Sequence, residues 1–324
     1  MSNGDAGPRG NGALDADQQA VVDGTEQILG APLNEMPIDE ARARMEELYA
    51  LVPPGPAMHA VHEVSAPGPD GDVGLRVYVP TADQGLPVLV WIHGGAFAFG
   101  EPDYFDSSCS ELADRATALV VSVDYRLAPE HPFPAGVEDS YAALRWVAEQ
   151  ISEFGGDPDR IAIGGDSAGG GIAAAVALMA RDRSGPSLVY QLLAYPALDD
   201  IVSNDEFSDV QVINRPVYEH FWNLYAATPE DHENPYCVPI KAADLSGLPP
   251  AFVVVPAVDA MRDSQVHYAE RLAEAGVPTR CEVYPGTAHG FLLATGAISR
   301  AEIAMGEVIG DLRAAFDRAS AKAR

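Results

Sequence analysis

Lysine is almost absent from this chain of 324 residues: Lys241 and Lys322 are the only two, and arginine brings the bases to 20 against 48 acids, a formal charge of −28. A surface so negative repels polyanions, which argues against nucleic acid and anionic membranes as partners. Cysteine is scarce as well. Cys109, Cys237 and Cys281 are odd in number and far apart, without the close pairing of a zinc site or redox motif, so buried, reduced thiols are expected. Long apolar runs are missing too: stretches such as 88–92 and 251–255 have the length of strands, far below the ~20 residues of a membrane helix. The first twenty residues are polar and rich in Gly, Asn and Asp, without the basic start and apolar stretch of a secretory signal, so a cytoplasmic location is expected.

What is present suffices for a large core, with 47% hydrophobic residues. Apolar β-type runs at 73–78, 88–92, 119–123, 161–163, 188–193, 252–255 and 279–284 alternate with helical stretches. That alternation predicts an α/β chain with a mostly parallel sheet wrapped by helices. Residues 1–15 read as a flexible tail; 14–51 carry helix-compatible apolar spacing, with a helix start at Ile38-Asp39-Glu40-Ala41-Arg42. The alternation breaks between Asp199 and Leu248, where Pro216 and an aromatic helical stretch with Tyr218, Phe221, Trp222 and Tyr225 intervene. This insertion is either a pocket wall built jointly with the N-terminal helices or an ordinary core helix with its loop, and the aromatic spacing alone favours the second.

The chemistry concentrates after the run at 161–163, where Gly164-Gly165-Asp166-Ser167-Ala168-Gly169-Gly170-Gly171 leads into an alanine-rich helix. Strand, sharp turn and helix around Gly165-x-Ser167-x-Gly169 match a nucleophile elbow, whose small residues permit a strained turn that lifts the serine hydroxyl clear of the sheet. A phosphate loop would need a Gly-Lys-Ser/Thr ending, which is absent. A serine hydroxyl is a weak nucleophile and needs a base, itself oriented by a third group. His289, directly after the last predicted strand, is the candidate base. Asp259 follows the apolar strand 251–255 and gives the chain order Ser, Asp, His; Asp263 is the nearby rival but better suits the start of the following helix. Upstream, strand 88–92 ends in His93-Gly94-Gly95-Ala96-Phe97, and the N–H groups of Gly94, Gly95 and Ala168 are the expected oxyanion-hole donors. His93 is expected to hold that loop, a metal-ligand role being weaker for want of a second ligand at suitable spacing.

Taken together, His93-Gly94-Gly95-Ala96, Asp124-Tyr125-Arg126-Leu127-Ala128-Pro129-Glu130, Phe133-Pro134-Ala135, Gly165-Asp166-Ser167-Ala168-Gly169-Gly170, Tyr195-Pro196, Asp259 and His289-Gly290-Phe291 make the chain resemble the hormone-sensitive-lipase-like esterases, bacterial family IV. The resemblance runs from about Leu14 to the C-terminus. It implies an α/β-hydrolase fold with a helical cap, no cofactor and no metal, a small-molecule ester as substrate, and allows a homodimer. The implied division is N-terminal cap helices at 16–65, a core at 66–198 and 249–324, and a cap insertion at 199–248. Three departures stand out: Ala96 replaces the usual third glycine, Asp259-Ala260-Met261 the usual Asp-Pro-Leu with Ser264 after Asp263, and Gly171 an asparagine, which opens space beside the helix start. The segment from Asp124 to Ala135 is expected to be structural, with Arg126 pairing its neighbouring acids. The expected activity is ester hydrolysis on short acyl chains, an amidase or a small-ligand binding protein being the alternatives on the same frame. Retention of His289 favours catalysis over binding.

Overall fold

The computed structural model describes residues 13–202 and 213–322, so the tail at 1–12 and part of the insertion, 203–212, lie outside the described residues. Eight strands form one sheet: β1 (Ala60–Gly68), β2 (Gly71–Val79), β3 (Leu86–Ile92), β4 (Leu119–Asp124), β5 (Gly156–Asp166), β6 (Tyr190–Ala194), β7 (Ala251–Val258) and β8 (Thr279–Ala288). Their order is β1-β2-β4-β3-β5-β6-β7-β8. The β1–β2 and β2–β4 pairs are antiparallel and the rest parallel. The central strands are buried on both faces, which is why they read as continuous apolar runs. On β3, Val88, Val90 and Ile92 join one core layer and Leu89 and Trp91 the other.

The first layer receives α4 (Ala135–Gln150), α5 (Ala168–Asp182) and α8 (Arg262–Glu274), the second α3 (Asp106–Ala116) and α9 (Ser299–Lys322), and a single-turn α7 (Pro229–His232) precedes β7. α5 is buried from Ala168 through Ala180, and its small side chains let it press closely on the sheet. A third cluster caps the structure. Leu29 and Ala41, from α1 (Ala16–Leu29) and α2 (Ile38–Tyr49), meet Val217 and Phe221 of α6 (Arg215–Tyr225) over Ala98 and Phe99. α6 starts cleanly because Asn214 accepts the Val217 N–H (3.1 Å) and Pro216 sits in the first turn. Its aromatic residues answer to both readings of the insertion: Tyr218, Trp222 and Tyr225 belong to the main core, and Tyr218, Phe221 and Trp222 also face the central cavity.

Several expectations need adjustment. β1 begins at Ala60, inside the stretch assigned to cap helices, so the sheet starts earlier than residue 66. Asp15, at the end of the expected tail, is held by its N–H to Gly286 O (2.9 Å) and its carboxylate to Arg300 (2.6 Å). Cys281 is exposed on the edge strand β8, whereas Cys109 and Cys237 are buried. Arg126 does not pair with the acids beside it in sequence: it clasps buried Asp139 on α4 in bidentate fashion (both 2.8 Å) and reaches Asp70 (3.0 Å). Glu130 instead receives Arg42 of α2 in two bonds of 2.7 Å, and the same guanidinium reaches the carbonyls of Ala98 and Ala128, tying cap to core. Replacing Arg126 by Met removes the guanidinium from the buried Asp139 carboxylate and leaves it only the residue-126 N–H (3.1 Å); a loss of about 3 kcal/mol in unfolding free energy is expected from urea titration.

Candidate active site

β5 ends at Asp166 and α5 begins at Ala168, leaving Ser167 alone to make the turn at φ 54°, ψ −122°. That backbone is unfavourable for a residue with a side chain, by about 1–3 kcal/mol. It is held by three hydrogen bonds: Ser167 N–H to Ala194 O (2.9 Å), and Ser167 O accepting from Gly171 (3.1 Å) and Ala197 (2.9 Å). The flanking glycines are required by contact, since a Cβ on Gly165 would strike Ile92 O and one on Gly169 would strike Ile92 O and His93 O. Gly171 leaves no open space beside the helix start, contrary to expectation, because a Cβ there would run into Ala197 O.

Register brings the other two residues into line. Val258 on β7 pairs with Ala288 on β8, so Asp259 and His289, each one residue further on, leave adjacent strand ends together. His289 Nδ1 lies 2.8 Å from Asp259 Oδ2, and Nε2 lies 2.8 Å from Ser167 Oγ. Asp259 is buried and its Oδ1 accepts the Met261 N–H (2.8 Å), which fixes the carboxylate plane. The rival Asp263 is half-exposed in the first turn of α8 and bonds Arg262. Tyr195 packs edge-on against the imidazole at 4.9 Å.

The loop after β3 coils through left-handed backbone at Gly95 (φ 116°), Ala96 (φ 52°) and Phe97 (φ 62°). Gly94, expected as an oxyanion donor, is committed elsewhere: its N–H bonds Asp166 Oδ1 at 2.9 Å, and it does not line the cavity. Gly95, Ala96 and Ala168 do line it, and their N–H groups have no acceptor among the described residues. His93 is buried between the rings of Phe105 (4.9 Å) and Tyr125 (4.5 Å), with Nδ1 2.7 Å from Gly94 O. Burial lowers its pKa to about 4, so it packs the loop as a neutral ring. Among the described residues no group of three or more His, Cys, Asp or Glu is placed to hold a metal.

The cavity over Ser167 measures about 280 Å³. Val22, Leu48 and Tyr49 from the N-terminal helices and Val217, Phe221 and Trp222 from α6 wall it, and among the described residues no lysine or arginine reaches its lining. Residue type alone does not single out Asp166, yet it joins the turn at Ser167 to the loop after β3 through Gly94; the signal for it is its place inside the Gly165–Gly169 motif.

These features define an α/β hydrolase with an assembled serine, histidine and aspartate line, and comparison with known proteins agrees. The profile of the α/β-hydrolase fold family matches residues 89–293, and the chain belongs to that family. It is 42% identical over 288 residues to carboxylesterase NlhH of Mycobacterium tuberculosis, covering 86% of this chain and 90% of that protein. Among solved structures, a hyperthermophilic esterase of the archaeon Pyrobaculum calidifontis superposes with a TM-score of 0.86 at 35% identity, over 93% of this chain and 98% of that one. A bacterial heroin esterase gives a TM-score of 0.86 at 36% identity, over 94% and 98%.

Burial raises the Asp166 pKa from its ordinary 3.8 to about 7. The native state therefore binds the extra proton across that interval, and the stability this group contributes is present below the lower value and lost as pH rises through the upper one. Asp166→Asn removes the titration while keeping an acceptor for Gly94. Denaturation at a series of pH values should show wild type losing stability relative to this variant from about pH 4 to about pH 7; parallel curves would refute the assignment.

Proposed function

We propose that the protein is a carboxylic ester hydrolase of the hormone-sensitive-lipase-like group, acting on small esters through an acyl-enzyme on Ser167. The observation that carries this reading is the unbroken line Asp259–His289–Ser167, with both contacts at 2.8 Å, opening into an apolar cavity. His289 Nε2 takes the Ser167 proton as Oγ attacks the ester carbonyl, and Asp259 holds the imidazole and stabilises the imidazolium. The oxyanion is received by the N–H groups of Gly95, Ala96 and Ala168, each worth about 3 kcal/mol to the transition state. His289 then protonates the leaving alkoxide, and water, activated by the same imidazole, releases the acid. The esterase names of the relatives support the same chemistry.

The cavity of about 280 Å³ accommodates short acyl chains better than long ones. Its lining carries the carboxyl groups of Asp166 and Asp259 and, among the described residues, no lysine or arginine, beneath a surface of formal charge −28. Neutral esters are therefore favoured over anionic ones. Ser167→Ala should reduce kcat on p-nitrophenyl acetate by about 10⁴-fold or more with the fold intact by circular dichroism. Equal turnover by the folded variant would sink the acyl-enzyme. In a matched pair, ethyl butyrate should be hydrolysed with higher kcat/KM than monoethyl succinate, the gap narrowing as salt screens the field; a preference for the succinate would overturn the charge argument.

A further inference from the structure

α1 roofs the cavity, and its first turn also grips the segment carrying His289 from both sides. Ahead of the histidine, the Asp15 N–H donates to Gly286 O (2.9 Å) and the Ala288 N–H donates to Gln18 Oε1 (3.1 Å). Beyond it, the Ser299 N–H donates to Asp17 Oδ2 (2.8 Å) and Arg300 Nε to Asp15 Oδ2 (2.6 Å). The fit is close: Gly286 sits at φ 74°, and a Cβ there would run into the Asp15 carboxylate.

Gln18 has the most direct route to the chemistry. Among the described residues β8 is an edge strand, paired through Ala288 to Val258 on one side and to no strand on the other. Ala288 is buried, so its N–H needs a protein acceptor, and the amide of Gln18, itself buried, supplies it. The next residue is His289, followed by Gly290 in left-handed backbone at φ 83°. Without the acceptor, the peptide ahead of His289 is free to tilt, and the imidazole, which must meet Ser167 and Asp259 at once, tilts with it.

We propose that Gln18 is a positioning residue for the base: by accepting the Ala288 N–H it fixes the backbone that aims His289 at Ser167, making the N-terminal helix part of the proton-transfer scaffold. The inference rests on the role proposed above for His289. Gln18 also lines the cavity beside Val21, Val22 and Thr25, so a bare wall residue is the competing role, and the two differ in what they move. A wall residue alters KM according to the acyl group. A positioning residue alters kcat for every ester.

The test uses the full chain carrying Gln18→Leu, which keeps volume but not the acceptor, and Gln18→Glu, which keeps an acceptor oxygen. Steady-state kinetics on p-nitrophenyl acetate and butyrate are read together with the downfield proton resonance of the His289 Nδ1–H. Expected for Gln18→Leu is a fall in kcat of about 10- to 100-fold on both esters with KM little changed, a broadened His289 resonance, and substantial recovery in Gln18→Glu. Wild-type kcat in Gln18→Leu, a change confined to KM, or equal loss in both variants would overturn the proposal. Gln18→Met serves in the same comparison if Gln18→Leu does not fold. Should wild type hydrolyse no ester, the failure belongs to the proposed function, and the resonance still decides the role of Gln18.

Discussion

The left-handed turn at Ser167 is the constraint around which the site is assembled. Strand β5 and helix α5 can be joined by a single residue only if the backbone accepts φ 54°, and it does so because bonds from β6 and from the start of the following segment close around that one peptide. The same crowding dictates glycine at 165 and 169, where a side chain would collide with the carbonyls of Ile92 and His93. Those carbonyls begin the loop that presents Gly95 and Ala96. The turn at Ser167 and the loop after β3 are thus parts of one packed junction, and Asp166, bonded to Gly94, sits in its seam.

Around that junction the rest of the chain supplies aim. The parallel register of β7 and β8 delivers Asp259 and His289 from neighbouring strand ends, so the carboxylate and the imidazole need only one further residue each to meet. The cap is fastened to this machinery as well as laid over it. Arg42 bonds the loop after β3 at Ala98 and the turn at Glu130, while the first turn of α1 bonds both flanks of the His289 segment.

Most of the frame was legible because buried parallel strands write themselves as uninterrupted apolar runs. β1 escaped because it is an edge strand: of its nine residues only Ala66 is buried, and Pro67 and Gly68 close it. The order of Ser167, Asp259 and His289 could be read from strand ends, and their geometry then follows from register. Gly94 could not be read correctly, since which glycine of a loop turns its N–H to the cavity depends on the carboxylate behind it. Arg126 and Gln18 illustrate the same limit: Arg126 meets Asp139 and Asp70, 13 and 56 residues away, and Gln18 meets Ala288, 270 residues away, and no local pattern announces these pairings.

In the proposed mechanism Ser167 carries the acyl group between two half-reactions that share one base, and acid-quenched mass spectrometry of the protein during turnover of p-nitrophenyl acetate reads that intermediate out. An acetyl group accumulating on the peptide containing Ser167, and disappearing when substrate is exhausted, is the predicted result. Steady hydrolysis with the acetyl group on another residue, or with water attacking and no adduct at any quench time, would contradict it.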